Sequence, residues 1–318
     1  MSRKTTVILH NRVSENATPD DADVLDQVKL VKCALENLNY DVVTLEFDLD
    51  LKNTSMELKN IKPEFVFNLV ESVENNGQLI HLATSLLEHL KIPYTGCPNE
   101  AVFITSNKLL AKKILKGEGI KTPEDENTRP FIKGKYIVKS VWEHASIGLD
   151  EKKVIYAESP EQITVPNGFF AERYIEGREF NISILAGKVL PLAEIIFSNY
   201  SADRLKIVDY KAKWDKNSFE YNNTPRSFDF DEKDEKLLER LGKITRKCWE
   251  IFNLKGYARV DFRVDENNEP YVLEINSNPC ISEDSGFYAA AVEAGLEFEE
   301  VVRLIIKDLR VQPSGICS

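Results

Sequence analysis

The chain has 318 residues, 42% of them hydrophobic and 29% charged, which supports packed cores in about two or three domains. Its net charge is −11 and its pI is near 5.1. That argues against a nucleic-acid backbone or an anionic membrane as the main partner.

The opening run MSRKTTVILH has too short an apolar stretch for a signal peptide. Thr6–His10 reads as a short apolar strand, followed by a polar loop from Asn11 to Asp23. Val24, Val28, Val31, Leu35 and Leu38 then recur at helical spacing. Tyr40–Phe47 and Phe65–Asn68 are expected strands. Leu79, Ile80, Ala83, Leu86, Leu87 and Leu90 mark a helix, and Ile92–Tyr94 a further strand. This alternation implies α/β architecture with a parallel sheet, whose ligands collect at strand carboxyl ends. The loops after His10 and Asn68 are therefore candidates for holding a small molecule. The acidic residues Glu15, Asp20, Asp21 and Asp23 either face a substrate amino group or are solvated.

Beyond a boundary placed near Cys97, the pattern becomes antiparallel-rich (α+β). Ser106-Asn107-Lys108 starts a helix that Gly117 and Gly119 end. Tyr136–Lys139, Val154–Ala157 and Phe169–Ile175 are strands. Glu179–Ala186 and Val189–Ile196 form a hairpin around Gly187-Lys188. Ser198–Asp229 is long, irregular and rich in charge and aromatics, the signature of a lid. Leu237, Leu238, Leu241, Ile244, Cys248 and Ile251 define a helix, and Ser285–Ala294 and Glu297–Leu309 two more around Gly295. No stretch approaches the ~18 apolar residues of a membrane span. The five cysteines, Cys33, Cys97, Cys248, Cys280 and Cys317, form no C-x-x-C pair. Neither structural zinc nor a disulfide framework is expected, which fits a cytoplasmic protein.

The most informative stretch is Gly256–Pro279. Arg259, Asp261 and Arg263 alternate with Val260, Phe262 and Val264, and Glu274 and Asn276 alternate with Leu273 and Ile275. With a two-residue turn at Asn267-Asn268, Asp261 lies opposite Glu274 and Arg259 opposite Asn276. Two carboxylates and an amide oxygen on one face form an oxygen-ligand set suited to magnesium.

Arg-Val-Asp-Phe, a short turn, then Leu-Glu-Ile-Asn-Ser-Asn-Pro resembles the metal signature of ATP-grasp ligases, and more narrowly the D-alanine–D-alanine ligase branch. The resemblance runs from about Phe65 to Leu309. It implies an N-terminal α/β domain (1–97), a central ATP-grasp subdomain (98–176) and a C-terminal subdomain carrying the metal hairpin (177–318). It also implies an ATP-dependent carboxylate–amine ligase that joins small molecules such as amino acids through an acyl phosphate, releasing ADP. Relatives often dimerise through the first domain. A nucleotide-binding protein without ligase activity is the alternative.

By resemblance, Asp261, Glu274 and Asn276 hold two magnesium ions, with manganese also accommodated. Lys108 and Lys139 bind phosphate, and Ser140–Gly148, containing Ser146, covers the phosphates. The adenine lies at the backbone just after Glu172, along Arg173, Tyr174 and Ile175, and Glu179 bonds the ribose. Lys213 reaches the γ-phosphate, with Trp214 in the place of a family aromatic. Arg259 stabilises the transition state, and Ser285 contacts a substrate carboxylate or, on sequence alone, caps a helix. Two departures stand out. The first loop, from His10 to Ser14 onward, lacks the glycine-rich turn and the glutamate of the D-alanine ligases, and their histidine near the end of the third strand is also absent, with Glu71 nearby. Cys280 also stands where relatives carry the glycine after the signature proline.

Overall fold

The computed structural model describes residues 3–14, 17–142 and 153–309. Ser146 and most of its loop lie outside the described residues.

The first unit comprises β1 (Lys4–Asn11), α1 (Pro19–Asn37), β2 (Tyr40–Phe47), α2 (Leu51–Ile61), β3 (Val66–Leu69) and α3 (His81–Leu90). Its sheet is parallel, in the order β2-β1-β3. Val7, Ile8 and Leu9 are fully buried, as a central strand covered on both faces requires. The segment expected as a loop to Asp23 is already helical from Pro19, so Asp20 and Asp21 sit in the first turn of α1. Proline presets the helical φ there, and acidic side chains suit the positive end of the dipole. The expected strand Ile92–Tyr94 reduces to a single bridge between Val66 and Tyr94. The helix α2 escaped sequence reading because it buries only Thr54 and Leu58, too thin a stripe to register.

The second unit holds α4 (Asn99–Ser106), α5 (Lys108–Gly117), β4 (Gly134–Ser140), β5 (Val154–Ala157) and β6 (Phe169–Arg173). Its sheet is antiparallel, ordered β5-β4-β6. Asn107 caps α5 by accepting the Leu110 N–H, which explains the abrupt helix start at Lys108.

The third unit holds β7 (Arg178–Leu185), β8 (Lys188–Val189), β9 (Ala193–Ile195), α6 (Tyr210–Trp214), α7 (Phe219–Asn222) and β10 (Arg226–Ser227). It continues with α8 (Glu235–Ile251), β11 (Tyr257–Val264), β12 (Pro270–Asn276), α9 (Gly286–Glu293) and α10 (Phe298–Lys307). The sheet runs β10-β9-β7-β11-β12, with β8 also on β7. The turn expected at Gly187-Lys188 falls one residue earlier. Leu185 pairs with Lys188, and Ala186 and Gly187 both have positive φ, as a tight hairpin turn demands.

The hairpin β11–β12 has the anticipated pairs, Arg259 with Asn276 and Asp261 with Glu274, but its turn differs. Val264 pairs with Pro270, leaving a five-residue loop in which the Asp265 side chain accepts the Asn267 and Glu269 N–H groups. A bulge at Leu273 restores the register. The two changes cancel, so the acidic pair still faces across the ladder.

The alternation divides the sheet cleanly. Phe180, Ile182, Val260, Phe262, Val272 and Ile275 pack against Leu237, Leu241 and Cys248 of α8. Arg259, Asp261, Arg263 and Glu274 take the other face. A second core joins Ile8, Val28 and Leu35 to Leu185, Tyr257, Phe287, Val302 and Ile305. It fixes the first unit beside the carboxyl end of β12.

Candidate functional site

Between the sheets lies a cavity of about 480 Å³, within the usual range for small-molecule pockets, roughly 300–1,000 Å³. Lys108, Lys139, Glu172, Arg173, Tyr174, Ile175, Glu179, Lys213, Arg259, Asp261, Glu274, Asn276 and Ser285 all line it.

One wall is built on β4, β6 and α5. Glu172 is almost fully buried and bridges two ammonium groups, with Lys139 Nζ at 2.8 Å and Lys112 Nζ at 2.6 Å. Lys112 also donates to Thr122 Oγ1 at 2.7 Å. Burial works against the Glu172 charge, but the two lysines hold its carboxyl below the usual range. For Lys139, burial lowers its basicity and Glu172 more than restores it. For Lys112, burial prevails. The Arg173 and Tyr174 N–H groups are committed to the carbonyls of Glu124 and Lys135.

The opposite wall is the face of β7 and β11. Glu179 lies directly across from Arg263 and pairs with its Nη2 at 3.0 Å. Arg178, one residue earlier and hence on the other face, binds Glu194 and Asp234 instead. Burial raises the Glu179 carboxyl. Arg263 also donates to the carbonyls of Gly177 and Lys206 and stacks near Tyr174 and Phe197.

At the carboxyl end of β12 the chemistry concentrates. Arg259 makes a two-pronged contact with Asp261, at 2.7 and 2.8 Å. Burial lowers the Arg259 basicity, and Asp261 and Glu274 more than reverse this. Lys108 approaches Glu274 at 3.5 Å. Asn276 Oδ1 accepts the Asn278 N–H at 3.1 Å and keeps a second lone pair. Asp261, Glu274 and Asn276 thus present oxygen donors on one face, with no His or Cys, a set that fits a hard divalent cation. Both carboxylates are at present balanced by Arg259 and Lys108. Among the described residues no group of three or more His, Cys, Asp or Glu side chains forms a metal site.

The segment expected as a lid contributes Lys213 from α6, whose start is capped by Asp209 accepting the Ala212 N–H. Burial, then Arg259, pushes the Lys213 ammonium down. The hydroxyl of Tyr210 donates to Asp20 at 2.6 Å, tying α6 to α1. Ser285 does cap α9, accepting the Tyr288 N–H at 3.1 Å, and it also lines the cavity.

Past Asp261, Glu274 and Asn276, the cavity wall is acidic, with Asp20, Asp21, Asp23 and Glu71. Gln27, fully buried on α1, donates to Asp23 at 3.2 Å and Glu71 at 2.8 Å. Its Oε1 accepts the Ile281 N–H at 3.1 Å. Cys280 Sγ lies 2.9 Å from Asp23 Oδ2, so the loop after β12 is fastened to α1. Burial, with Glu71 and Asp23 adding to it, raises the Cys280 thiol well above its ordinary range.

Lys112, Gln27, Arg263 and Arg226 were not singled out from sequence. Lys112 repeats Lys108 four residues on, along a helix face that also buries Ala111 and Leu115. Gln27 interrupts an otherwise apolar stripe. Those two interruptions were the available signals.

The cleft between an antiparallel pair of units, with a metal-type hairpin on its floor and lysines from two sides, defines an ATP-grasp ligase. Solved structures agree on the fold. A D-alanine–D-alanine ligase from Bacillus anthracis superposes with TM-score 0.69 at 24% identity, covering 96% of this chain and 97% of that one. D-alanyl-alanine synthetase A from Vibrio cholerae gives 0.70 at 18% identity, over 97% and 99%. The family model "D-ala D-ala ligase C-terminus" matches residues 126–307. A D-alanine–D-alanine ligase from Aquifex aeolicus is 31% identical over 290 residues, 87% of this chain and 92% of that protein. The chain belongs to the D-alanine–D-alanine ligase family and is an ATP-dependent ligase that forms a C–N bond. The non-catalytic alternative finds no support among these relatives. Among the described residues no helix is long and apolar enough to cross a membrane.

Proposed function

We propose that the chain activates the carboxylate of one small amino acid as an acyl phosphate and joins it to the amine of a second. The relatives' names make D-alanine the first substrate to test. The observation that carries this reading is the juxtaposition of Arg259, Asp261, Glu274 and Asn276 on one strand pair, in one cavity with Lys139 and Lys213.

In this reading the adenine edge meets the Ile175 amide, since the Arg173 and Tyr174 amides are already engaged. Glu179 takes the ribose hydroxyls, and Lys139 and Lys108 hold phosphate oxygens. Asp261, Glu274 and Asn276 hold two magnesium ions, with manganese as substitute. These supply neutralisation of phosphoryl charge. Lys213 draws the γ-phosphate toward the donor carboxylate. Arg259 spreads charge on the phosphoryl group and then on the tetrahedral oxyanion. The donor's ammonium faces the acidic wall. Functionally the chain divides as 1–97 for the donor, 98–176 and 177–318 for the nucleotide. The reaction is assigned to the cytoplasm, and a homodimer through the first unit is proposed with it.

Phosphate release from ATP and magnesium across a panel of D- and L-amino acids, singly and paired, tests this. ADP and phosphate formed only with particular pairs, together with a dipeptide product, are expected. Glu274→Ala should abolish that turnover. Pair-independent hydrolysis, or wild-type turnover in Glu274→Ala, would refute the assignment.

A further inference from the structure

We propose that Arg226 grips the carboxylate of the amine substrate at the end of the cleft beyond Arg259, an inference that rests on the ligase reading. Arg226 sits on β10, the outermost strand, paired with Ile195. From there it crosses to the start of α9, where Nη1 donates to the Asp284 carbonyl at 2.9 Å. A Cβ added at Gly286 would lie 3.3 Å from Nε. The guanidinium therefore rests on the first turn of α9, and the absence of a side chain at Gly286 permits this.

The setting differs from that of the neighbouring arginines. Arg178, Arg204, Arg259 and Arg263 each form an ion pair with a carboxylate. The hydrogen bond Arg226 makes is to a neutral carbonyl, and a guanidinium has five N–H donors. The side chain is open to solvent on one side; desolvation on the other and the nearby Arg259 charge lower its basicity, and the Asp284 carboxylate offsets part of this. The other neighbour of Arg226 is a helix N-terminus, which carries partial positive charge and first-turn amides without intrahelical acceptors. Ser285 uses its oxygen as an acceptor for Tyr288 and retains a hydroxyl proton to donate. Two guanidinium groups, a helix start and a hydroxyl thus converge on one part of the cavity. An anion placed among them relieves their mutual repulsion.

The other anions of the reaction are accounted for elsewhere. The phosphates belong with Lys139, Lys213 and the metal pair. The donor carboxylate must reach the γ-phosphate, on the same side. The carboxylate of the incoming amine substrate remains, and its planar shape matches the two-pronged guanidinium.

The test compares, in the steady state, the best amine substrate with its carboxamide. Wild-type protein should prefer the free acid. Arg226→Met should raise KM for the acid by about 10- to 100-fold, the range of one charged hydrogen-bond pair. It should leave KM for ATP and for the carboxamide unchanged. Gly286→Ala, which moves the guanidinium by a few tenths of an ångström, should give a smaller loss in the same parameter. An Arg226→Met variant that treats acid and carboxamide as the wild type does, or loses both equally, overturns the proposal. If no pair releases phosphate even in the wild type, the ligase reading itself fails. Calorimetry of D-alanine against D-alaninamide on the protein loaded with ADP and magnesium then decides the subsite. An Arg226-dependent preference for the acid keeps it, and equal or absent binding of the two overturns it.

Discussion

Glu71 sits on the acidic wall, with Asp20, Asp21 and Asp23 around it and Gln27 as its hydrogen-bond donor. Burial first, then the three aspartates, push its carboxyl from 4.5 up to about 7. Between those values the folded chain holds the extra proton, so stability falls as pH rises from about 4.5 to about 7 and stays lowered above it. Glu71→Gln keeps the Gln27 contact and removes the charge. It should raise stability at pH 8 by on the order of 1–3 kcal/mol and leave it nearly unchanged at pH 4. Thermal melts at the two pH values check this, and equal shifts at both would exclude a titrating Glu71. The residues whose placement was legible in sequence were those set by their own strand: alternation puts Asp261, Glu274 and Arg259 on one face. Lys112 and Arg226 take their meaning from Glu172 and Gly286, partners distant in the chain. Local pattern does not encode such pairings.

At the scale of elements, the hairpin shows how a correct register can rest on an incorrect turn. Alternation fixed which faces met, because one face is buried and a one-residue slip would invert it. Five-residue loop and bulge were invisible, since neither alters the alternation on β11. The passage from β6 to β7 is held differently. Gly177 has φ of 137°, and a Cβ there would lie 2.0 Å from the Val264 carbonyl oxygen. Gly177→Ala should therefore cost about 3 kcal/mol or more, since backbone rather than a side chain must yield. Urea unfolding measures it, and a midpoint unchanged from the wild type would contradict the close approach. The segment Ser198–Asp229, expected as a lid from its lack of periodicity, does hold short elements. Its short helix α6 was not recognised, because five residues give too little pattern to read.

The whole molecule joins its first unit to the β11–β12 hairpin through polar contacts that composition does not reveal. The Asn278 side chain donates to the Val70 carbonyl at 3.0 Å and accepts from Tyr257 at 2.7 Å. Gln27 does the same work from α1. These contacts set the acidic wall against the loop that follows Asn276, where the altered Cys280 meets Asp23. The fold class could be anticipated because the parallel pattern of the first strands gives way to an antiparallel pattern in the later ones. How the units meet depended on side chains scattered from Asp20 to Ser285. The central claim is that one carboxylate is activated by phosphoryl transfer within this assembled cleft. It is tested most directly with a donor amino acid labelled with ¹⁸O in its carboxylate, turned over with ATP, magnesium and the amine substrate. An acyl phosphate passes one carboxylate oxygen to phosphate, so the released phosphate should carry a single ¹⁸O and the nucleotide should be ADP. Unlabelled phosphate, or AMP as the nucleotide product, would contradict the account.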